Sequence, residues 1–517
     1  MGSLWDIKNI PQMAVVTTGA VAGLMGLLAL KYNDRAIFDE RRNDIPFITG
    51  EPLIGTLGMQ LRNKERLYDY QMFILEQMGA LTVAESALGL PPSITTLDPR
   101  NVEHVLKTNF GNYVKGEQMR DAMGDLFGHG IFVANGSQWR WQRKAASLIF
   151  NTNNFKNHFI AVFVEEAFDM IKRIFDKKAN NGKPVDFHDV MYKFTLDSFV
   201  LIGFGVQLNS LHSKNKVSFA ESFDECQMNC MDRFINPFMP IIERLQPILH
   251  PGTKSLRGHL KVVDDFAYSI INERRKQLAD GGDFQDLLSR FMSAKNENNE
   301  LLNDRELRDT VLNFIIAGRD TTAQALSWTF YNLILHPRVE KKLVEEINEK
   351  INNEHELNTS SLYNVISTMT YAHAVFFEVL RLYPSVPSNV KVALEDDVWP
   401  DGTHVRKGDS VAWAPYVQGR STSVWGPDAK DFRPERWLDS NGKLRRESAG
   451  QWPAFHAGPR VCLGQNLATL EALVAIVMLL RRYKFSLVRN QEPITYVLSL
   501  TMPMKNGIKV FVEHRQQ

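Results

Sequence analysis

The chain has 517 residues, with 60 lysines and arginines against 59 aspartates and glutamates, a formal net charge of +1. Hydrophobic residues make up 44% and charged residues 23%, so there is apolar surface enough to bury a large core, and disorder is excluded as the dominant state. The near-neutral balance excludes a general nucleic-acid binder, which needs an excess of cations, and the three cysteines, Cys226, Cys230 and Cys462, are too few for a disulfide scaffold and point to a reducing compartment.

The first element in chain order is an uncharged run from Met13 to Leu30. As a helix it reaches roughly 27 Å, just short of a hydrocarbon core. Lys8 precedes it, while Lys31, Arg35, Arg41 and Arg42 follow; the positive-inside rule places everything after Leu30 in the cytosol. Residues 1–31 are therefore expected to be a single-pass signal anchor, with a buried helix or a cleaved signal peptide as the alternatives. Residues 32–58 contain Pro46, Gly50, Pro52 and Gly55 and read as a stiff, turning connector. From 59 to 517 there is no internal repeat or long low-complexity stretch, which predicts one large unit, mainly α with minor β.

Within that unit, Trp139 and Arg143 stand at i and i+4. An indole N–H and a guanidinium on one helix face can hold a carboxylate together. Cys226 and Cys230 also share a face, but no histidine or third cysteine completes a metal site, so they read as packing. Leu307, Val311, Phe314, Ile315 and Gly318 define one face of a helix that starts near Asn303 or Asp304 and runs to Leu335, before His336-Pro337. Mid-way lies Ala317-Gly318-Arg319-Asp320-Thr321-Thr322. Glycine there costs about 1 kcal/mol relative to alanine, and Asp and Thr compete with the backbone for hydrogen bonds. The plain reading is a tight helix–helix contact. The functional one is a widened groove with an acid and hydroxyls for proton delivery.

Glu378 and Arg381, at i and i+3, make a helical ion pair. Near the C-terminus Tyr483–Val488, Tyr496–Met502 and Gly507–Glu513 read as short strands. Between them and the long helix lies the most informative stretch, residues 455–465: one cysteine, Cys462, in a Gly/Pro loop just before a helical pattern. N–H groups at a helix start can hydrogen-bond a thiolate and lower its pKa. Gly458 and Gly464 allow a turn and a close approach to a flat cofactor, Phe455 can shield the sulfur, and Arg460 can pair with an anion. There is no Walker or dinucleotide fingerprint.

The pattern F-x-x-G-x-R-x-C-x-G over 455–464 resembles, at every fixed position, the haem-binding signature of the cytochrome P450 family. The resemblance covers the chain from about residue 46 to its end and implies that family's fold. It implies haem b with Cys462 as the axial thiolate of the iron, and Phe455, Gly458, Arg460 and Gly464 around it. Trp139, Arg143 and Lys391 then face the haem propionates. The 317–322 stretch resembles the family's oxygen-activation motif: Ala317 and Gly318 line the groove, Thr321 holds hydrogen bonds there and Asp320 relays protons. Glu378 and Arg381 resemble the E-x-x-R helix, joined by Arg436 from Phe432–Trp437 in a structural network; phenylalanine is common where Trp437 stands.

Further stretches, among them residues 109–116, 128–132, 381–387 and 499–505, resemble the fatty-acid ω-hydroxylase branch of plants and fungi. The expected activity is O2-dependent hydroxylation of a small hydrophobic substrate, the terminal carbon of long-chain fatty acids, with electrons from NADPH through the flavoprotein NADPH–cytochrome P450 reductase. The expected setting is the lipid bilayer of the endoplasmic reticulum. Lys144, Arg445 and Arg446 are candidates to meet the reductase, and Met119, Met123, Phe314, Val386 and Leu500 to line the substrate pocket. The same chemistry on alkanes, sterols or xenobiotics is the main alternative. A haem-thiolate hydroperoxide isomerase or lyase is another, though such enzymes typically lack the Asp320–Thr321 pair.

Overall fold

The structure, a computed structural model, describes residues 10–150, 154–213, 217–282, 284, 286–296, 298–351 and 361–516, with side chains described from residue 17. Its axis is the helix over 304–335. Asn303 starts it with a capping box: its side chain accepts from the N–H groups of Arg305 and Glu306, and the Glu306 carboxylate accepts from the Asn303 N–H. His336 ends it, and Pro337 begins the next helix, Pro337–Lys350. The run is about 45–50 Å long and is interrupted once, by a π-helical turn over Ile316–Asp320. From Leu307 to Phe330 every residue is buried except Ala317 and Thr321.

Such a helix needs partners on nearly every side. Phe187–Phe204, Thr370–Leu382 and Gln465–Arg482 pack against it. The last of these is buried continuously from Leu470 to Leu480, as an all-round apolar helix must be. Over the far end lie Glu117–Phe127, Ser218–Ile235 and Leu256–Ala279.

Among the described residues ten short strands sit at the margins: β1 (Thr82–Glu85), β2 (Ser93–Thr96), β3 (Tyr113–Val114), β4 (Val185–Asp186), β5 (Asn389–Ala393), β6 (Asp397–Val398), β7 (His404–Val405), β8 (Ser410–Trp413), β9 (Tyr483–Leu487) and β10 (Lys509–His514). They form a sheet β1-β2-β8-β5-β3, a sheet β4-β10-β9 and the pair β6-β7. The strands expected near 483 and 507 are β9 and β10. The strand expected over Tyr496–Met502 is not one. Apart from a single Tyr496–Met504 bridge it is an irregular hairpin, because helix side chains take the hydrogen bonds a ladder would have used. Gln324 Oε1 accepts from the Met502 N–H at 2.9 Å, Gln324 Nε2 donates to Thr501 at 2.7 Å, and the Trp328 indole donates to the Met502 carbonyl at 3.1 Å.

At the other end, Ile10–Lys31 is one helix. The beginning of the Met13–Leu30 run lies outside the described side chains. Further along, Val21, Leu24, Leu27 and Leu30 are all exposed. Among the described residues no helix is long and apolar enough to cross a membrane. The connector is docked on the body: the Ile48 N–H donates to Ala84 O and the Ala84 N–H to Pro46 O, each at 2.8 Å.

Candidate active site

The loop before Gln465–Arg482 is held in shape by its own backbone. The Cys462 N–H donates to Phe455 O at 2.8 Å and the Val461 N–H to Gly458 O at 3.0 Å. His456 takes a left-handed φ of 62°, a strained choice for a non-glycine residue. Burial pushes the Cys462 thiol pKa up, while N–H groups of Gly464 and Gln465 and the Arg143 guanidinium pull it down. Cys462 lies deep in the fold, yet its surface is not covered by neighbouring side chains. The nearest atom to a Cβ built on Gly464 would be Cys462 Sγ, at 3.9 Å, so the approach to the sulfur is open on that side.

A cluster of bases gathers beside this loop. β5 and β8 pair with Asn389 opposite Trp413 and Lys391 opposite Val411, which puts Lys391 and Trp413 on one face. The Lys391 amine, His456 Nε2 and the Trp413 indole nitrogen are buried with no hydrogen-bond partner; Lys391 has only the Phe110 ring, 4.7 Å away. Burial, then the neighbouring Lys115 and Arg460, push the Lys391 pKa down to about 6. Lys115 is pushed down to about 7 by burial and Arg460, and Arg460 to about 10 by burial and Arg143. Burial and the same neighbouring cations take His456 to about 3. Arg460 stacks on the Trp139 ring at 4.5 Å and donates to Ala134 O at 2.7 Å. Arg143, one turn beyond Trp139 on Gly136–Ser147, donates to Val461 O at 2.8 Å.

No carboxylate is paired with any of these bases among the described residues. Such a cluster is unfavourable unless an anion joins it. A flat group with two carboxylates and a metal that takes a thiolate satisfies the unpaired bases and the bare sulfur together, so the residues present fit haem. Lys115 and His456 belong to this cradle and were missed in the sequence. Their only signal was position, Lys115 within the 109–116 stretch and His456 next to Phe455.

Two glycines do something other than line a cofactor. Gly458 (φ 60°) lies against the backbone of the neighbouring helical turn, where a Cβ would stand 2.1 Å from Leu106 O. Gly318 lies against Phe199, whose ring a Cβ would meet at 1.9 Å. Both positions are too close to their neighbours to carry a side chain.

Between Leu307 and Phe330, Ala317 and Thr321 are the partly open positions. The Thr321 hydroxyl donates to Ala317 O at 2.7 Å, across the π turn, and Ser385 Oγ donates to Thr321 O at 2.8 Å. Asp320 turns elsewhere. Arg319 donates to its Oδ1 at 2.8 Å and Gln227, from Ser218–Ile235, to its Oδ2 at 2.6 Å. Arg319 also holds Asp224 at 2.8 Å and lies over the Tyr192 ring at 4.3 Å. Burial pushes the Asp320 carboxyl above the usual carboxylate range, against the pull of Arg319. Glu471, buried behind Thr322 and Ser198, is pushed up strongly for the same reason.

The Glu378 carboxylate is fully buried and crowded with donors. Arg381 reaches both its oxygens at 2.8 Å, Arg436 Nε and the Trp437 indole reach it at 2.9 Å, and the Arg433 N–H at 2.8 Å. Arg381 also donates to the carbonyls of Gly419, Ala429 and Asp431. Tryptophan at 437 thus adds a hydrogen bond that phenylalanine could not.

Of the pocket candidates, Val386 and Leu500 are half-buried, whereas Met119, Met123 and Phe314 are buried. Phe314 packs on Phe291 with ring centroids 5.9 Å apart. Cys226 and Cys230 are buried free thiols, the former pushed up to about 12 by burial, as packing residues are.

Residues 50–510 match the family model described as Cytochrome P450. The chain is 36% identical to cytochrome P450 704B1 of Arabidopsis thaliana, over 90% of this chain and 94% of that protein. It is 35% identical to cytochrome P450 monooxygenase cyp1 of Mycosarcoma maydis, over 96% of this chain and 80% of that one, and 38% identical to cytochrome P450 86B1 of Arabidopsis thaliana, over 82% and 77%.

Proposed function

Because this chain belongs to the cytochrome P450 family and is a cytochrome P450 monooxygenase, an oxidoreductase, we propose that it hydroxylates the terminal carbon of long-chain fatty acids at a membrane surface. Haem, held through Cys462 with its propionates among Lys115, Arg143, Lys391, His456 and Arg460, supplies when bound the oxidising power to insert one atom of O2 into a C–H bond as the other leaves as water. The two electrons come from NADPH through a flavoprotein reductase. Trp139 and Arg460 hold each other stacked, which fixes the propionate face. Thr321 can exchange its bond to Ala317 O for one into the groove, which the π turn has widened. Asp320, kept partly protonated by burial, carries protons to it when the Arg319 or Gln227 bond is exchanged.

The observation that carries the lipid reading is the helix Met239–Leu249, none of whose residues is buried. Phe238, Ile241, Ile242, Leu245, Ile248 and Leu249 are all exposed. A contiguous apolar face of this kind fits a lipid surface. Together with the apolar Ile10–Lys31 helix and the bases that follow it, it supports a single-pass protein of the endoplasmic reticulum whose catalytic body lies on the cytosolic face.

The test is product analysis by mass spectrometry. Membranes carrying the protein, a matched reductase and NADPH receive a panel of long-chain fatty acids. A terminal hydroxy acid, absent with Cys462→Ala, is the expected product. In-chain products would overturn the regiochemistry, and no fatty-acid product from a protein that turns over an alkane or sterol would overturn the substrate class.

A further inference from the structure

Three tryptophans form a row that begins at the Cys462 loop. Phe455, whose carbonyl accepts from the Cys462 N–H at 2.8 Å, packs on Trp452 with ring centroids 5.8 Å apart. Trp452 packs on Trp437 at 4.9 Å, and Trp437 on Trp425 at 5.6 Å. Trp437 is buried, while Trp425 and Trp452 are half-buried. The indole nitrogens of Trp425 and Trp452 have no hydrogen-bond partner, although a buried indole N–H usually finds one. The family resemblance does not account for the row, since phenylalanine is common where Trp437 stands.

The rings differ in their charged neighbours. The Trp437 indole N–H donates to the fully buried Glu378 carboxylate at 2.9 Å, and an anion bonded to the ring in a low-dielectric interior favours positive charge on it. Trp425 has the opposite neighbour: the Arg381 guanidinium lies over its ring, 5.2 Å from the centroid. Trp328 and Trp399 donate instead to neutral groups, the Met502 carbonyl and the Tyr113 hydroxyl. Tryptophan and tyrosine are the side chains most easily oxidised by one electron, but a buried tyrosine must also lose its proton, which an indole need not. The Trp437 proton has nowhere to go. Five N–H groups, two from Arg381 and one each from Arg433, Arg436 and Trp437 itself, already fill the Glu378 oxygens, which offer about four lone-pair sites.

We propose that Trp452 and Trp437 form a one-electron relay that draws oxidising equivalents away from the Cys462 site when no substrate is there to take them. Trp452 gives one electron to the oxidised haem across the Phe455 ring, and Trp437 replaces it. The hole rests on Trp437 as a radical cation with its N–H bond intact, and Arg381 over Trp425 keeps it from spreading further along the row. A soluble one-electron reductant of the ascorbate class, reaching the half-buried Trp452 ring, restores the pair. The relay thus gives up one electron and receives one, and no proton moves. The inference rests on haem at Cys462 and on no particular substrate.

The test uses the full-length haem-loaded protein without substrate, mixed with a peracid and frozen within milliseconds. Electron paramagnetic resonance should show a tryptophan radical whose N–H coupling is lost in D2O, and ascorbate added before freezing should remove it. Trp437→Phe, a ring common at this position in the family, is expected to cut the signal several-fold and to let peracid bleach the haem absorption several-fold faster. Trp452→Phe should do both as well, because the relay loses its first member while Trp437 keeps its bond to Glu378. A normal ferrous–CO spectrum in each variant shows beforehand that the thiolate site is intact. A tryptophan radical of unchanged yield in both variants, or a wild-type radical that resides on tyrosine alone, would overturn the relay.

Discussion

Lys391→Met should act in opposite directions on the protein with and without haem. In the structure the Lys391 amine is 1% exposed, has no hydrogen-bond partner and faces other bases. Its pKa is lowered from 10.5 to about 6, so near pH 7.5 the folded apoprotein holds it largely neutral. Removing that proton from an amine that titrates about three units higher when unfolded costs up to about 4 kcal/mol, at about 1.36 kcal/mol per unit. Methionine has nearly the same length and no charge to desolvate, so the apoprotein should gain about 1–4 kcal/mol against denaturant. The gain should shrink with rising pH. Between about 6 and 10.5 the unfolded wild type binds more protons than the folded form, so its stability climbs with pH and approaches that of the variant. The holoenzyme should show the reverse, because a propionate loses its lysine. Haem should transfer to an excess of a competing apoprotein several-fold faster from the variant. An apoprotein no more stable than wild type, with haem retention unchanged, would refute the argument that this cluster is an anion cradle.

Three further outcomes follow from the same geometry. Thr321→Ala removes the hydroxyl at the partly open position, and should lower product formed per NADPH consumed by about 10²-fold while NADPH oxidation continues, measured by parallel product and cofactor assays. The wild-type rate should fall as pH rises through the raised Asp320 pKa, since the acid form is the one present below it; Asp320→Asn should flatten that limb, which a pH–rate profile from 5 to 9 would show. Arg319, Asp224, Gln227 and Tyr192 all face that carboxyl, so Asp224→Asn should lower the midpoint by removing a repelling charge. Glu378→Gln leaves the buried Arg381 guanidinium without a counter-charge and Arg436 with Asp428 alone, a loss of about 3–5 kcal/mol; against a total stability of about 5–15 kcal/mol, the yield of folded, haem-loaded protein should collapse.

What the sequence revealed and what it hid divide along a physical line. The helix over 304–335, its cap at Asn303, the Cys462 loop and the Glu378–Arg381 pair are local: periodicity, a capping box and a fixed spacing each act within a few residues. The anion cradle is not local. Lys115 and His456 come from distant segments, and each is an ordinary residue until the fold brings it beside Lys391, which the family resemblance does point to, with no acid between them. The Tyr496–Met502 hairpin misled for the same reason. Its alternation fits a strand, but Gln324 and Trp328, far away in sequence, take its hydrogen bonds first.

Gly318 carries this further. A glycine in an oxygen-site motif invites a cofactor explanation, and its missing side chain also makes room for Phe199. Ala317 and Thr321 are what open on the groove. The motif therefore joins two requirements within one turn of helix: a position too tightly packed on Phe199 for a side chain, and a hydroxyl bonded to Ala317 O. A Gly318→Ala variant would test this separation, since it should disturb folding through Phe199 while Thr321 keeps its bond to Ala317.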